Sequence, residues 1–235
     1  MTELSKGRQL HQQALDAQEA EKFPEALYRV DDALIAYDGD DHDFDFAEGL
    51  AMRSLTESHL ATISKNPRRW LITAKHNAIA GVELARESGD QRAEGIPLFQ
   101  LAKILEKLGD FDTALKNYDE AIGILSTNPP DMHGGPASVA NVKMNREICA
   151  HKNGNEGSID KAEAILKELE DMEGATEYER KVWLSGGHLK LAEAFRESDP
   201  KVAKEHLEKA RAIIESDPKL TLRKKEFDTL AAKFA

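Results

Sequence analysis

The sequence predicts an all-α fold made of successive helix hairpins, and three observations carry that expectation. The first is composition. Only 15 of 235 residues are glycine and 8 are proline, too little turn chemistry for a β-sandwich or barrel. With 32% charged and 6% aromatic residues against 40% hydrophobic ones, the chain suits surface-rich helices better than a thick α/β core. It is also too apolar for wholesale disorder. The second observation is residues 98–125, where Leu98, Leu101, Ala102 and Leu105 recur at helical spacing. Gly109-Asp110 breaks the pattern, and Ala114, Tyr118, Ala121 and Ile122 restart it. That is the pattern of two antiparallel amphipathic helices joined by a tight turn. The third observation is recurrence. Gln13-Ala14, Leu60-Ala61, Leu101-Ala102, Cys149-Ala150 and Leu191-Ala192 are followed by Ala26, Ala74, Ala114, Ala162 and Ala203 at spacings of 13, 14, 13, 13 and 12. Small residues at such places permit close helix approach, at axial distances of ~8–10 Å. The expected helix content is about 70–75% in eleven helices with no sheet, well above the globular average of roughly one third.

The elements follow in order as hairpins over residues 3–38, 44–89, 91–127, 138–173 and 176–216, then a last helix over 218–234. Proline pre-organises a first helical turn. It stands at Phe23-Pro24, Asn66-Pro67, Asp199-Pro200 and Asp217-Pro218, the last three behind good capping residues. Thr176 to Glu179 has the capping-box form. The linkers are residues 38–45, which are acidic, 128–138 and 153–158. The whole chain, 1–235, reads as one repeat domain. Its last helix carries Leu220, Phe227, Leu230 and Phe234 on one stripe, with Lys219, Arg223, Lys224, Lys225 and Lys233 outside it. A polar-faced cap for the stack is a better reading of that basic face than a docking helix.

Residues 98–125 resemble a tetratricopeptide (TPR) repeat. Leu98, Leu101-Ala102, Leu105, Gly109-Asp110-Phe111, Ala114, Tyr118 and Ala121 fill the places that the family pattern assigns to large apolar, small, turn and aromatic residues. From unit to unit the second anchor advances by 48, 40, 48 and 41 residues. This exceeds the usual period of about 34. It is similar to the longer repeats of kinesin light chains and bacterial peptide-sensing regulators. The resemblance implies a right-handed α-solenoid of about five hairpins plus a C-terminal capping helix, with a concave face that binds ligands.

Charge and motif content narrow the function classes. The 32 basic and 43 acidic residues leave a net charge of −11, which speaks against duplex nucleic acid or an anionic membrane as the main partner. Residues 1–8 lack an apolar core, and no apolar run nears ~18 residues, so a soluble, cytoplasmic chain without membrane insertion is expected. The single cysteine, Cys149, excludes an intramolecular disulfide framework and a multi-cysteine zinc site, and its register marks it as a buried thiol. Residues 38–45 fail the calcium-loop template, because Phe46 stands where glycine is needed and Met52 where the bidentate glutamate belongs. A solvated loop is the better reading of that run than a weak cation site. Among eight histidines no pair has HExxH spacing, and Cys149 and His151 do not share a helix face. Gly186-Gly187 reads as a close helix crossing, and Trp70 and Trp183 as core. No metal, cofactor or catalytic residue is expected.

What remains is surface. In the repeat register, residues two before and two after each anchor point into the groove. They are His11 and Leu15, Ser58 and Thr62, Phe99 and Lys103, Glu147 and His151, and Leu189 and Glu193. TPR domains that clamp a C-terminal carboxylate place Lys and then Asn where this chain has His11 and Leu15, so that mode is not supported. The expected function is a non-catalytic scaffold or adaptor for a peptide or helix segment, acting as a monomer or weak homo-oligomer. Its partner should carry basic and apolar residues, because residues 16–48 hold twelve acidic and two basic side chains. The alternatives are a peptide-responsive regulatory TPR protein and an enzyme with a site built across helices.

Overall fold

Eleven α-helices and a short 3-10 turn make up 81% of the described residues, and no strand occurs among them. The computed structural model describes residues 5–38, 43–130, 135–173 and 175–234. His42, His133, Gly134 and the middles of the 38–45 and 128–138 linkers lie outside the described residues. The helices pair in chain order. The first three hairpins are α1 (Lys6–Glu19) with α2 (Phe23–Tyr37), α3 (Asp43–Ile63) with α4 (Pro67–Glu87), and α5 (Gly95–Leu108) with α6 (Phe111–Thr127). Two more follow, α7 (Pro136–Lys152) with α8 (Ser158–Leu169) and α9 (Glu177–Phe195) with α10 (Pro200–Glu215), before the last helix, α11 (Thr221–Ala231). The chain divides into two compact units, Met1–Pro130 and Asp131–Ala235, with the break inside the 128–138 linker.

Local chemistry sets the boundaries. Gly109 takes the left-handed conformation at φ 84°, and the Asp110 amide donates back to the Leu105 carbonyl at 2.9 Å, closing α5. Asp110 then caps α6 by accepting from the Thr113 amide, so two adjacent residues end one helix and begin the next. Both bonds of the Thr176–Glu179 capping box are present at the start of α9. Pro24, Pro67 and Pro200 sit in the first turns of α2, α4 and α10. Pro218 does not begin a helix. The Asp217 carboxylate accepts from the Lys219 amide at 3.1 Å, and the Asp217 carbonyl accepts from Leu220 at 3.1 Å, so the chain turns there and α11 starts at Thr221. At α10 the Asp199 carboxylate accepts from both the Lys201 and Val202 amides at 3.1 Å. Asp199→Ala should therefore cost ~1 kcal/mol, read as a lower thermal midpoint by circular dichroism.

Small residues set the packing. Ala14, Ala26, Ala74, Ala102, Ala114, Ala121, Ala162, Ala192 and Ala203 are all fully buried, which places the small-residue register at helix contacts. In the first unit Ala14, Val30, Leu34, Leu50 and Met52 form one cluster. In the second, Met144, Ile148, Ala162, Leu166, Leu169 and Leu191 join α7, α8 and α9. Cys149 is buried in α7. At Gly187 α9 lies tightly against α7 and α8: a Cβ there would stand 2.5 Å from Leu166 Cδ1 and 2.7 Å from Met144 Sδ. The close crossing is therefore at Gly187, while Gly186 is covered by the Arg223 guanidinium of α11.

Candidate interaction surface

Within each unit the first helices of successive hairpins form a layer. In the first unit α3 touches both α1 and α5, whereas the backbones of α2 and α4 do not approach each other among the described residues. In the second, α9 touches α7 and α11, whereas α8 and α10 do not approach through their backbones among the described residues and meet only through side chains such as Glu163 and His206. Hairpins that approach more closely along their first helices curve toward that side.

The ten groove candidates are distributed over these layers. In the first unit His11, Ser58 and Phe99 are buried, Leu15 and Lys103 are half-buried, and Thr62 is exposed. Leu15 packs against the Ala14–Val30–Leu34 cluster. Phe99 is only 8% exposed, its ring 6.1 Å from that of Tyr118, and Lys103 Nζ lies 5.2 Å above it. Phe99 and Lys103 are thus brought together as one amphipathic step on α5. Ser58 Oγ accepts from Lys107 Nζ at 3.2 Å, tying α3 to α5. In the second unit Leu189 is buried, Glu147 and His151 are half-buried, and Glu193 is exposed. Arg146 pairs with Glu147 at 3.0 Å, and Lys233, just beyond α11, pairs with Glu193 at 2.8 Å. Burial opposes the charge on Glu193, but Lys233, Lys152 and Arg196 together hold its carboxyl below the usual range.

Polar groups inside the layers are more numerous than the register foretells. Glu57, in the centre of α3, is 1% exposed and accepts from Asn77 Nδ2 at 2.8 Å, with Arg53 Nε 3.6 Å away. Burial pushes its carboxyl up, against the pull of Asn77 and Arg53. Thr56 donates to Gln18 Oε1 at 3.2 Å, joining α3 to α1. Arg8 reaches from α1 to Asp45 and to Glu48 on α3, the latter at 2.7 Å. In the second unit two buried histidines meet, His188 of α9 and His206 of α10, with their Nδ1 atoms 3.0 Å apart. The Phe195 ring stacks on His206 at 5.9 Å, and Glu163 Oε1 of α8 lies 3.4 Å from His206 Nε2. Nothing in the spacing of eight scattered histidines singles out this pair. Its one sequence signal is symmetry: His188 stands three residues before the Leu191 anchor and His206 three after Ala203, which puts them level on antiparallel helices.

A cavity of about 310 Å³ beside the α1–α2 turn is a shallow dent bordered by Asp16, Lys22, Glu25 and Arg29. Among the described residues no group of three or more His, Cys, Asp or Glu is placed to hold a metal ion, and no helix is long and apolar enough to cross a membrane.

No protein-family model matches the chain, and no curated protein matches it. Similar solved structures do exist. A Podosopora anserina protein of nearly identical TPR-like repeats, described as a putative kinesin light chain, superposes with a TM-score of 0.53 at 15% identity, covering 92% of this chain and 99% of that one. A point variant of that protein gives 0.51 at 14% identity, with coverage of 92% and 98%. BtubC (BKLC) from P. vanneervenii gives 0.49 at 18% identity over 85% of this chain and 76% of that one. In fold, then, this chain is an all-α, TPR-like helical-repeat protein.

Proposed function

We propose that the chain is a non-catalytic interaction scaffold that binds a peptide or helix segment along its first-helix layers. The layering supports the reading: first helices of successive hairpins lie against one another, and α2 and α4 also pack on the first helix that follows them. Among the described residues the backbones of α2 and α4, and of α8 and α10, do not approach each other, which leaves the first-helix side as an extended surface rather than an enclosed pocket. On that surface in the first unit, half-buried Leu15 offers apolar contact, half-buried Lys103 offers a cation seated over the buried Phe99 ring, and Thr62 is open to solvent. In the second unit Glu147, His151 and Glu193 are the polar counterparts. Apolar contacts then set residence time, and charge sets encounter rate and orientation.

A random peptide library displayed on phage and selected on the chain tests this directly. Selected peptides should bind Thr62→Arg and Lys103→Glu variants at least several-fold more weakly, because both substitutions alter the layer without emptying the core. Peptides that bind both variants as well as the parent would place recognition elsewhere and overturn the reading. Phe99→Ala is a poorer probe, since removing a buried ring costs ~3–5 kcal/mol of stability as well as any contact. For a basic peptide, raising salt to physiological strength, where the screening length is ~8 Å, should slow association and leave dissociation nearly unchanged.

A further inference from the structure

Four large apolar side chains are exposed among the described residues, and two of them, Tyr28 and Ile35, each 73% exposed, lie on the same helix. On a helix turning about 100° and rising about 1.5 Å per residue, positions seven apart fall within about 20° of each other and about 10.5 Å along the axis. Tyr28 and Ile35 therefore form one ridge on α2. The buried face of α2, built from Phe23, Ala26, Val30, Ala33, Leu34 and Tyr37, points the opposite way, so the ridge is directed at solvent. Carboxylates flank it on both sides. Asp31 and Asp38 fall on one side by the same rotation, and Glu25 and Asp32 on the other. Asp31 is engaged by Arg53 at 2.9 Å and Glu25 lies 3.7 Å from Lys22, while Asp32 and Asp38 are exposed.

We propose that this outward face of α2 is a docking ridge for a basic amphipathic helix of another protein. An apolar ridge two turns long with negative charge along both edges is the complement of a helix that carries an apolar seam edged by Lys or Arg. Side chains of such a helix would straddle Tyr28 and Ile35 while its cations meet Asp32, Asp38 and Glu25. The same charges disfavour other occupants. A second copy of α2 would bring like charges together, and an anionic lipid surface would be repelled. The ridge faces away from α1 and α3, so it is independent of the first-helix layer, and either reading can fail alone.

A fluorescein-labelled 18-residue peptide of leucine and lysine, with leucine on one helical stripe, is the probe, and its glutamate-for-lysine counterpart is the control. The lysine peptide should bind and the glutamate peptide should not. Tyr28→Ser combined with Ile35→Ser changes only exposed positions and should weaken binding by roughly tenfold or more. Asp32→Lys should weaken it several-fold, whereas Asp160→Lys, the same charge change on the exposed face of α8, and Thr62→Arg in the first-helix layer should change it little. Equal binding to the double variant would overturn the proposal. So would equal weakening by Asp32→Lys and Asp160→Lys, which would mean a response to net charge alone. A dimer of the native chain in sedimentation that the double variant dissolves would assign the ridge to a second copy and also overturn it.

Discussion

Acidification from pH 7 to pH 5 should remove about 2 kcal/mol of stability through His188, because burial and the facing His206 push its imidazole down to about 3. In the neutral pair the 3.0 Å contact needs one Nδ1–H to donate and the other Nδ1 to accept. The Glu163 carboxylate beside His206 Nε2 favours a proton there, which makes His206 the acceptor and His188 the donor. A further proton must then go onto a buried ring with Lys209 nearby, while the unfolded chain takes it up freely below the ordinary histidine range. His206 is also depressed, by burial first, with Lys209 adding and Glu163 and Glu205 opposing. The sign is therefore loss of stability as pH falls. It begins above the range in which carboxylates titrate. Thermal melts at pH 7 and pH 5 measure the drop, and amide exchange should show it in α9 and α10. Replacing both histidines by phenylalanine should flatten the dependence in that window. An unchanged slope in the double variant would mean that the pair does not control it.

Ala114→Leu should destabilise the chain by ~1–3 kcal/mol, because Ala114 is fully buried at the start of α6 with no room for added methylenes. Its surroundings are rigid. Ala102 and Ala121 are equally buried, and Tyr118, one turn away, is tied by its hydroxyl to Glu106 at 2.8 Å. In a stack where each hairpin is held by its neighbours, the loss should also broaden the denaturant transition. A variant that melts like the parent would show that the α5–α6 contact is looser than its burial implies. Ala231→Leu, at the half-buried end of α11, is the matched control and should change little.

The hairpin boundaries were legible because they rest on short-range chemistry. Gly109-Asp110, the Thr176–Glu179 box and the prolines of α2, α4 and α10 act through atoms within a turn of themselves. Pro218 shows the limit of that logic. The same Asp-Pro pair that starts α10 instead closes a turn at Asp217, since the carboxylate finds the Lys219 amide and the helix begins only at Thr221. The groove candidates were legible as helix positions, not as a surface. His11, Ser58, Phe99 and Leu189, two residues before their anchors, are buried, whereas Leu15, Thr62, Lys103 and Glu193, two residues after, are half-buried or exposed. Which side of a first helix a neighbour covers depends on crossing angle and side-chain size, and neither is written in the spacing.

By itself, then, the amino-acid sequence determined the class of fold, the order of the hairpins and the small-residue contacts that let them pack. Helical periodicity and capping are local properties, and alanine at a crossing is a requirement any helix pair imposes. Only the tertiary structure decided which polar groups meet. Glu57 with Asn77, Arg8 with Glu48 and His188 with His206 are separated by 20, 40 and 18 residues, and each pair forms because two helices lie level at that point. Only the structure, too, left Tyr28 and Ile35 uncovered on α2, because burial of a helix face is settled by what packs against it and not by the residues it carries.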